Sequence, residues 1–249
     1  MNDQEIDSVE GDDEWETYLS DVVKRSAGNA SSHKQDRSIR RQQEILRAAL
    51  RVFARDGISR ARIGDIASEA GMPVSSIYDY FPSKEELAYA VPTAHLASFY
   101  AEYAAAVAGK KTSADRLRLF LWTSADFARR NPEWARTFYL EIWPSVLISE
   151  SDIRHCIDDY VRIIVRLIRQ GEGRGEWPEG PNPYETAAIF NGSVNQTIIT
   201  WLLYRKPRNL MKAITSILNR SMSLLTATAP ETSHLRAAAR AGRRGARVS

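Results

Sequence analysis

The sequence has a single cysteine, Cys156, in 249 residues, which excludes an internal disulfide and agrees with a reducing compartment. It has no run of about 18 apolar residues, which excludes a membrane-spanning helix. Its acidic N-terminus also lacks the basic and apolar regions of a signal peptide. With 43% hydrophobic residues the chain can still build a core. These features predict a cytoplasmic, globular protein with no membrane partner.

Residue patterns for catalysis or metal binding are equally scarce. The four histidines lie far apart, and no HExxH, CxxC or phosphate-binding glycine loop occurs. His155 and Cys156 are adjacent, but neighbouring helical residues point about 100° apart and do not converge on one ligand. A buried structural cysteine is therefore favoured over a redox sensor or a metal site. We predict no catalytic residues, no metal, no cofactor and no enzymatic activity.

Charge is divided unevenly along the chain. Residues 1–21 carry nine acidic side chains and no basic one, whereas residues 33–62 carry nine Lys or Arg against three Asp or Glu. A cluster of positive charge is what neutralisation of DNA phosphates requires. The basic segment therefore predicts a DNA-binding surface.

The same region, residues 40–87, has the spacing of three short helices and the start of a fourth. Apolar residues recur every three or four positions, and Gly57 and Gly71 end the first two helices. In the third helix this spacing predicts a buried side of Val74, Ile77, Tyr78 and Phe81, with Ser75, Ser76, Asp79 and Tyr80 facing outward. The middle pair of helices has the length and turn of a helix-turn-helix.

At these positions the chain resembles the TetR family of bacterial transcriptional repressors. The matching residues are Ile66-Ala67, Ala70-Gly71, Ile77-Tyr78, Tyr80-Phe81 and Ser83-Lys84 with Leu87. From the charge and the helix-turn-helix we expect Arg40, Arg41, Arg60, Arg62 and Lys84 to hold phosphates. We expect base edges or flanking phosphates to be approached by Val74, Ser75, Ser76, Asp79 and Tyr80. The resemblance implies that Tyr78 contacts a phosphate, whereas its spacing also suits packing.

The rest of the chain predicts an all-α protein. Residues 1–38 are expected to be a disordered acidic arm, residues 39–88 the DNA-binding domain, and residues 89–228 a helical ligand-binding and dimerisation domain. Residues 229–249 are expected to be a disordered basic tail. Within the arm, Trp15, Tyr18, Leu19 and Val22 share one helical side, and a solvated tail is favoured over docking on the body. We also expect a kink or break near Ala90 because of Pro92, a Ser113 cap, and a linker over residues 171–183.

Aromatic residues gather in the second domain, and Trp134, Phe138, Trp143 and Tyr160 are candidates for a ligand cavity. Aromatics at helical spacing usually form core, so both interpretations stay open. On the following helix, Asn191, Asn195 and Thr197 are either polar ligand contacts or a hydrogen-bonded dimer seam. The last two helices are apolar over a wide arc, and the resemblance favours them as the dimer interface.

Taken together, these observations predict a transcriptional regulator. We expect a homodimeric repressor that leaves a palindromic double-stranded DNA operator when an apolar or aromatic small molecule binds. The alternative is a helical protein-protein interaction module with secondary DNA affinity. An enzyme with a DNA-binding head has no residue to support it.

Overall fold

The computed structural model describes residues 11–27, 33–144, 153–180 and 182–226. Within these ranges it is helical and contains no strand, which confirms the all-α prediction. The α-helices are α1 (Asp12–Ala27), α2 (His33–Asp56), α3 (Ile63–Ala70), α4 (Val74–Tyr78), α5 (Lys84–Val107), α6 (Ser113–Arg130), α7 (Pro132–Thr137), α8 (Ile153–Gly173), α9 (Pro183–Tyr204) and α10 (Leu210–Met222). A π-helical turn, Phe138–Ile142, follows α7, and a 3-10 turn, Ser223–Leu225, follows α10. Across the described helices, none is both long and apolar enough to cross a membrane.

Helices α2, α3 and α4 and the start of α5 form the N-terminal head, and α5 to α10 form a larger helical body. The chain turns from α3 into α4 at Gly71, whose φ of 65° is left-handed and favours glycine. The first turn of α5 is capped by Ser83, whose hydroxyl accepts a 3.1 Å hydrogen bond from the Glu86 N–H. The domain boundaries stay a prediction, but residue 39 lies inside α2 and so does not separate two elements.

The prediction of a disordered arm is wrong for residues 12–27, which form α1. Its apolar side packs on α5 and buries Trp15, Leu19 and Val22 almost completely. Tyr18 lies beneath the guanidinium of Arg166 on α8, 4.0 Å from the ring centroid. Burial of these side chains stabilises α1 on the body, although the arm as a whole is polar in composition.

Ion pairs fasten both ends of α1 to the body. At its start, the Asp12 carboxylate accepts hydrogen bonds from Arg116 at 2.7 Å and from Arg174 at 2.6 Å. Near its end, Arg25 donates to Asp159 of α8 at 3.2 Å. Because Arg116 is buried, the Asp12 carboxylate compensates a charge that would otherwise be costly. The acidic start of α1 therefore anchors the helix. Residues 33–38 of the predicted arm are also helical, because they form the start of α2. Residues 1–10 and 28–32 of the arm, and the basic tail at residues 229–249, lie outside the described residues.

Helix α5 runs unbroken through Pro92, so the predicted break does not occur. Val91 and Pro92 are both buried, and packing holds the helix in place where a backbone hydrogen bond is lost. The element that joins head and body is thus a single helix of 24 residues.

Residues 171–183 are not a free linker, because α8 continues to Gly173 and the following turn packs back on it. The Trp177 ring lies so close to Gly171 that a Cβ there would be 2.0 Å from it. The Glu176 carboxylate accepts hydrogen bonds from the first amides of α6, Ser113 N at 2.7 Å and Ala114 N at 3.0 Å.

The side-chain cap of α6 lies one residue earlier than predicted. It is Thr112, whose hydroxyl accepts from Asp115 N at 3.1 Å, because Ser113 is already the first helical residue.

Candidate functional site

The helix-turn-helix consists of α3 and α4, which meet around the left-handed Gly71. Ile66 of α3 and Ile77 of α4 are fully buried, and Phe81 just after α4 is buried as well. These contacts fix α4, a helix of five residues, at the surface of the head. A short helix held in this way can enter the major groove of DNA.

The exposed side of α4 differs from the predicted one. Val74 and Tyr78 are 42% and 50% exposed, so their assignment to the buried side was wrong. Ser75 and Asp79 are exposed, whereas Ser76 and Tyr80 are half-buried. In a helix of barely more than one turn, Ile77 alone faces the core, and Val74 and Tyr78 flank it on the solvent side. The exposure of Tyr78 suits a phosphate contact better than packing.

Four of the five predicted phosphate-binding residues lie in exposed positions. Arg40 and Arg41 are on α2, Arg60 lies between α2 and α3, and Arg62 directly precedes α3. Arg41 is 3.4 Å from Glu44, and Arg60 donates to the carbonyl oxygen of Asp56 at 2.7 Å. These exposed guanidinium groups are accessible for the neutralisation of phosphates, which is their predicted role.

Lys84 has a structural role that the sequence did not indicate. Its ammonium group donates to the carbonyl oxygens of Ile58, Ser59 and Ala61, at 3.0, 3.2 and 3.3 Å. An ammonium has three donors, so these contacts use all of them. Lys84 thereby fastens the start of α5 to the loop between α2 and α3, and a phosphate contact would replace one of these bonds.

A cavity lies in the body, and all four predicted ligand residues line it. Its wall comprises Leu96, Phe99, Ser124, Phe127, Trp134, Phe138, Tyr139, Trp143, Ile157, Tyr160, Asn191 and Asn195. The centres of water molecules have about 30 Å³ of free space inside it, enough for about two waters. Ligand pockets commonly measure about 300 to 1,000 Å³. The free space in this cavity is therefore much smaller than that of a typical ligand pocket.

The polar groups on the cavity wall are few. The Tyr160 hydroxyl donates to Ser124 Oγ at 3.0 Å, and Ser124 donates to the carbonyl oxygen of Leu121 at 2.9 Å. Burial raises the pKa of Tyr160 to about 12, so the phenol is neutral at physiological pH. Asn191 and Asn195 also line the cavity, whereas the Thr197 hydroxyl is turned back to the carbonyl of Ser193 at 2.7 Å.

Two residues of this wall each have a buried polar atom without a hydrogen-bond partner in the described structure: Trp134 at Nε1 and Asn191 at Oδ1. One is a donor and the other is an acceptor. The side chains of His155 and Cys156, the other pair considered from the sequence, lie outside the described residues.

Sequence reasoning missed about half of the wall. Leu96 and Phe99 come from α5, Ser124 and Phe127 from α6, and Ile157 from α8. Each has ordinary helical spacing for a core residue, so no local signal separates it from its neighbours. Tyr139 is a wall residue that could have been named from the sequence, because it lies inside the aromatic cluster.

Two hydrogen-bonded connections join the cavity wall to the head, and α2 also packs against α7, the helix of Trp134. The first is α5, which carries Leu96 and Phe99 on the wall and Lys84 at the loop of the head. The second is Glu141, in the π-helical turn that also supplies Phe138 and Tyr139. Its carboxylate accepts a 2.6 Å hydrogen bond from the Ile58 N–H, in the loop before α3. Both connections end at the loop between α2 and α3, which directly precedes the helix-turn-helix.

Comparison with known proteins agrees with this arrangement. Residues 45–91 match the model for "Bacterial regulatory proteins, tetR family". The fatty acid metabolism regulator protein of Bacillus subtilis is 23% identical over 175 residues, which cover 70% of this chain and 90% of that one. The regulator RutR of Escherichia coli K12 is 30% identical over 143 residues, covering 53% of this chain and 64% of RutR.

Among solved structures, the FadR regulator of B. subtilis in complex with stearoyl-CoA superimposes with a TM-score of 0.68. The two chains are 23% identical, and the match covers 73% of this chain and 98% of FadR. The head and body described above thus form the fold of a helix-turn-helix transcriptional regulator. Residues 45–91 are the part of the chain that matches the TetR family, and over most of its length the chain is similar to regulators of that family. These similarities favour a DNA-binding regulator over a protein-protein interaction module.

Proposed function

We propose that this protein is a homodimeric repressor that binds a palindromic operator and leaves it when a small molecule enters the body cavity. The observation that carries the proposal is the size of the cavity. Because it holds about two waters, a larger molecule can enter only if parts of the wall move. The wall includes residues of α5, so binding is coupled to movement of α5.

The exposed side of α4 supports DNA contact through Val74, Ser75, Ser76, Tyr78 and Asp79, with Tyr80 beside them. Arg40, Arg41, Arg60 and Arg62 supply positive charge around it. One helix of five residues reads few base pairs, so two heads related by two-fold symmetry are required. Their half-site centres should lie about 34 to 36 Å apart, or a multiple of that distance.

The proposed dimer interface is the outer side of α9 together with α10. Ile189, Leu203 and Tyr204 are 50%, 51% and 69% exposed on α9, and Leu224 is 48% exposed beyond α10. Large apolar side chains exposed on one side of a helix pair are typical of a partner surface. The opposite side of α9 carries Phe190, Val194 and Ile198 in the core of the protomer.

Release from DNA follows from the two connections between cavity and head. Separation of the wall displaces Leu96 and Phe99 on α5 and Phe138 and Tyr139 beside Glu141. Both movements pull on the loop between α2 and α3 and so displace the head. The distance between the heads of the two protomers then no longer matches the spacing of the operator half-sites. A hundredfold loss of operator affinity needs about 2.7 kcal/mol of coupling, and the effector loses the same amount when operator is bound.

An apolar or aromatic effector suits the wall, whose polar atoms are few. The fatty-acid regulator that this chain resembles was crystallised with stearoyl-CoA, so a long-chain acyl thioester is a candidate effector that can be tested directly. Trp134, Phe138, Trp143 and Tyr160 are the proposed contacts.

The test is fluorescence anisotropy of the full-length protein with labelled DNA that flanks its own coding sequence. We expect at least a thousandfold preference over scrambled DNA of equal length, and loss of the complex on addition of an effector. Light scattering on the Leu203→Glu variant should report a monomer with weak operator binding, whereas Ala105→Glu on the exposed side of α5 should remain dimeric. Equal affinity for both DNAs, or a wild-type monomer that binds tightly, would contradict the proposal.

A further inference from the structure

The two unpaired polar atoms on the cavity wall indicate which chemical groups an effector must carry. Trp134 is 3% exposed, and its Nε1–H points to no acceptor; the buried Oδ1 of Asn191 receives no donor. Neither atom has a hydrogen-bond partner among the residues that the structure describes. A buried donor or acceptor without a partner destabilises the protein by about 1 to 3 kcal/mol. An unpaired buried group in a native structure needs an explanation, and a bound water or a polar group of a ligand is one.

The wall also indicates the charge of that partner. Among the residues that the structure describes, the twelve on this wall include no Asp, Glu, Lys, Arg or His. Burying an ionised group without a counter-charge is far more costly than burying a neutral polar one. The phenol of Tyr160 is itself neutral and already bonded to Ser124. The cavity therefore excludes the charged part of a ligand and admits a neutral one.

The shape of the wall favours flat rings. Trp134 and Phe138 are stacked, with centroids 5.1 Å apart and an angle of 6° between their planes. Phe127 meets Trp134 edge-on at 5.1 Å, and Phe120, behind the wall, lies 4.7 Å from the Tyr160 ring. An aromatic ligand can join such a cluster by stacking or by edge contacts, which add to the stabilisation from burial alone.

We propose that the cavity binds a neutral aromatic molecule that carries both a hydrogen-bond acceptor and a hydrogen-bond donor, as an aryl carboxamide does. Its carbonyl oxygen accepts from Trp134 Nε1–H, and its N–H donates to Asn191 Oδ1. This inference rests on the proposed function, because it assigns an effector class to the same cavity. The proposed function does not specify polar contacts, whereas here the ligand accepts one hydrogen bond and donates another.

Three matched compounds separate the contributions. Naphthalene-2-carboxamide offers donor and acceptor, methyl naphthalene-2-carboxylate offers an acceptor only, and naphthalene-2-carboxylate is charged. Calorimetry on the full-length protein should show the amide binding about tenfold more tightly than the ester, since one hydrogen bond contributes about 1 kcal/mol. The carboxylate should bind most weakly. An amide that does not bind, or that binds no better than the ester or carboxylate, overturns the inference.

Two substitutions assign the bonds. Trp134→Phe keeps an aromatic ring and removes the donor, so it should weaken the amide and the ester alike by about tenfold. Asn191→Leu should abolish the preference for the amide and leave the ester unchanged. Asn195→Leu is the matched control, because Asn195 lies one turn further along α9 on the same wall. Equal effects of Asn191→Leu and Asn195→Leu on the amide would contradict the assignment.

Thermal unfolding of the ligand-free variants gives an independent check. Asn191→Leu replaces an unpaired buried polar atom at similar side-chain volume, so it should hold or raise Tm. A lowered Tm would mean that Asn191 Oδ1 is already paired. Trp134→Phe also removes buried ring atoms and is expected to lower Tm for that reason. The operator assay distinguishes the two proposals. Tight amide binding without loss of operator affinity would refute coupling and leave the ligand class intact. If unrelated molecules release the operator and the protein shows no preference for the amide, the ligand class is refuted and the coupling between cavity and operator remains.

Discussion

The carboxylate of Glu141 accepts a 2.6 Å hydrogen bond from the backbone N–H of Ile58. Glu141 lies in the π-helical turn that forms part of the cavity wall, and Ile58 lies in the loop between α2 and α3. Gly57, beside it, has a left-handed φ of 80°, and a Cβ there would be 3.4 Å from the same carboxylate. The head and the body are thus in direct contact at one charged group, and π-helical turns are frequent at functional sites.

Glu141→Ala should reduce communication between cavity and operator. Without the carboxylate, movement of the π-helical turn no longer pulls on Ile58, so the loss of operator affinity caused by naphthalene-2-carboxamide should shrink about tenfold, or about 1.4 kcal/mol of coupling. Anisotropy with and without the compound measures this quantity. Glu133→Ala, at an exposed position on α7, is the control. An unchanged response in Glu141→Ala would leave α5 as the route of coupling.

Arg62→Ala should lower operator and random-DNA affinity by similar factors, because a phosphate contact carries no sequence information. The slope of log affinity against log salt should become shallower by about 0.9, since the variant neutralises one phosphate fewer. Anisotropy titrations at a series of salt concentrations test this. Arg129→Ala, at an exposed arginine of α6 that pairs with Asp126, should leave the slope unchanged. Identical slopes in both variants would remove Arg62 from the DNA surface.

Trp15→Ala should detach α1 from the body. Truncation of a buried tryptophan costs about 3 to 5 kcal/mol, so the detached population should rise by more than about a hundredfold. Trypsin cleavage after Lys24 or Arg25 should accelerate accordingly, since proteolysis follows the open population. Glu16→Ala, at an exposed position of α1, should cleave at the wild-type rate. Unaltered cleavage of Trp15→Ala would mean that α1 is held by its ion pairs alone.

Acid should weaken the α1 attachment at its first residue. Hydrogen bonds from Arg174 and Arg116 hold the pKa of Asp12 below its ordinary 3.8. The charged form is therefore favoured when α1 is docked, and this contribution is present above pH 3.8 and lost as the pH falls through the lowered pKa. Cleavage within α1 can be followed with an acid-active protease over that range. An Asp12→Asn variant should show a flatter pH profile.

His95 should make stability depend on pH in a higher range. Burial lowers its pKa, while its Nδ1–H donates to the carbonyl of Val91 at 3.0 Å and its ring stacks on Trp134. Below about pH 6.5 the unfolded chain gains a proton that the folded protein excludes, so the free energy of unfolding should fall with falling pH. Urea unfolding of wild type and His95→Gln on both sides of that pH isolates the contribution. Parallel profiles would contradict it.

The sequence was most informative where structure is set locally. Gly71 and the Ser83 cap lie where spacing and residue type placed them, and the family resemblance at residues 66–87 was correct. The orientation of α4 was wrong for Val74 and Tyr78, because a helix of five residues completes little more than one turn. Periodicity then has too few repeats to decide which flank is buried.

Features built from distant residues could not be found in this way. Helix α1 is stabilised by Arg116, Arg166 and Arg174, which lie far along the chain, and its own polar composition indicates disorder. The cavity draws residues from several helices, and the aromatic cluster near Trp134 showed only one side of it. Which apolar residue faces a cavity and which faces a neighbour depends on how helices pack, and no single helix encodes that.

The attachment of α1 also has a consequence for the order in which the protein is made. Asp12 and Arg174 are 162 residues apart in sequence, and the ribosome adds about 5 to 20 residues per second. The apolar side of α1 therefore leaves the ribosome about 8 to 30 seconds before its docking surface is complete. Docking of α1, the first described helix to be synthesised, is therefore complete only after α8 has been made.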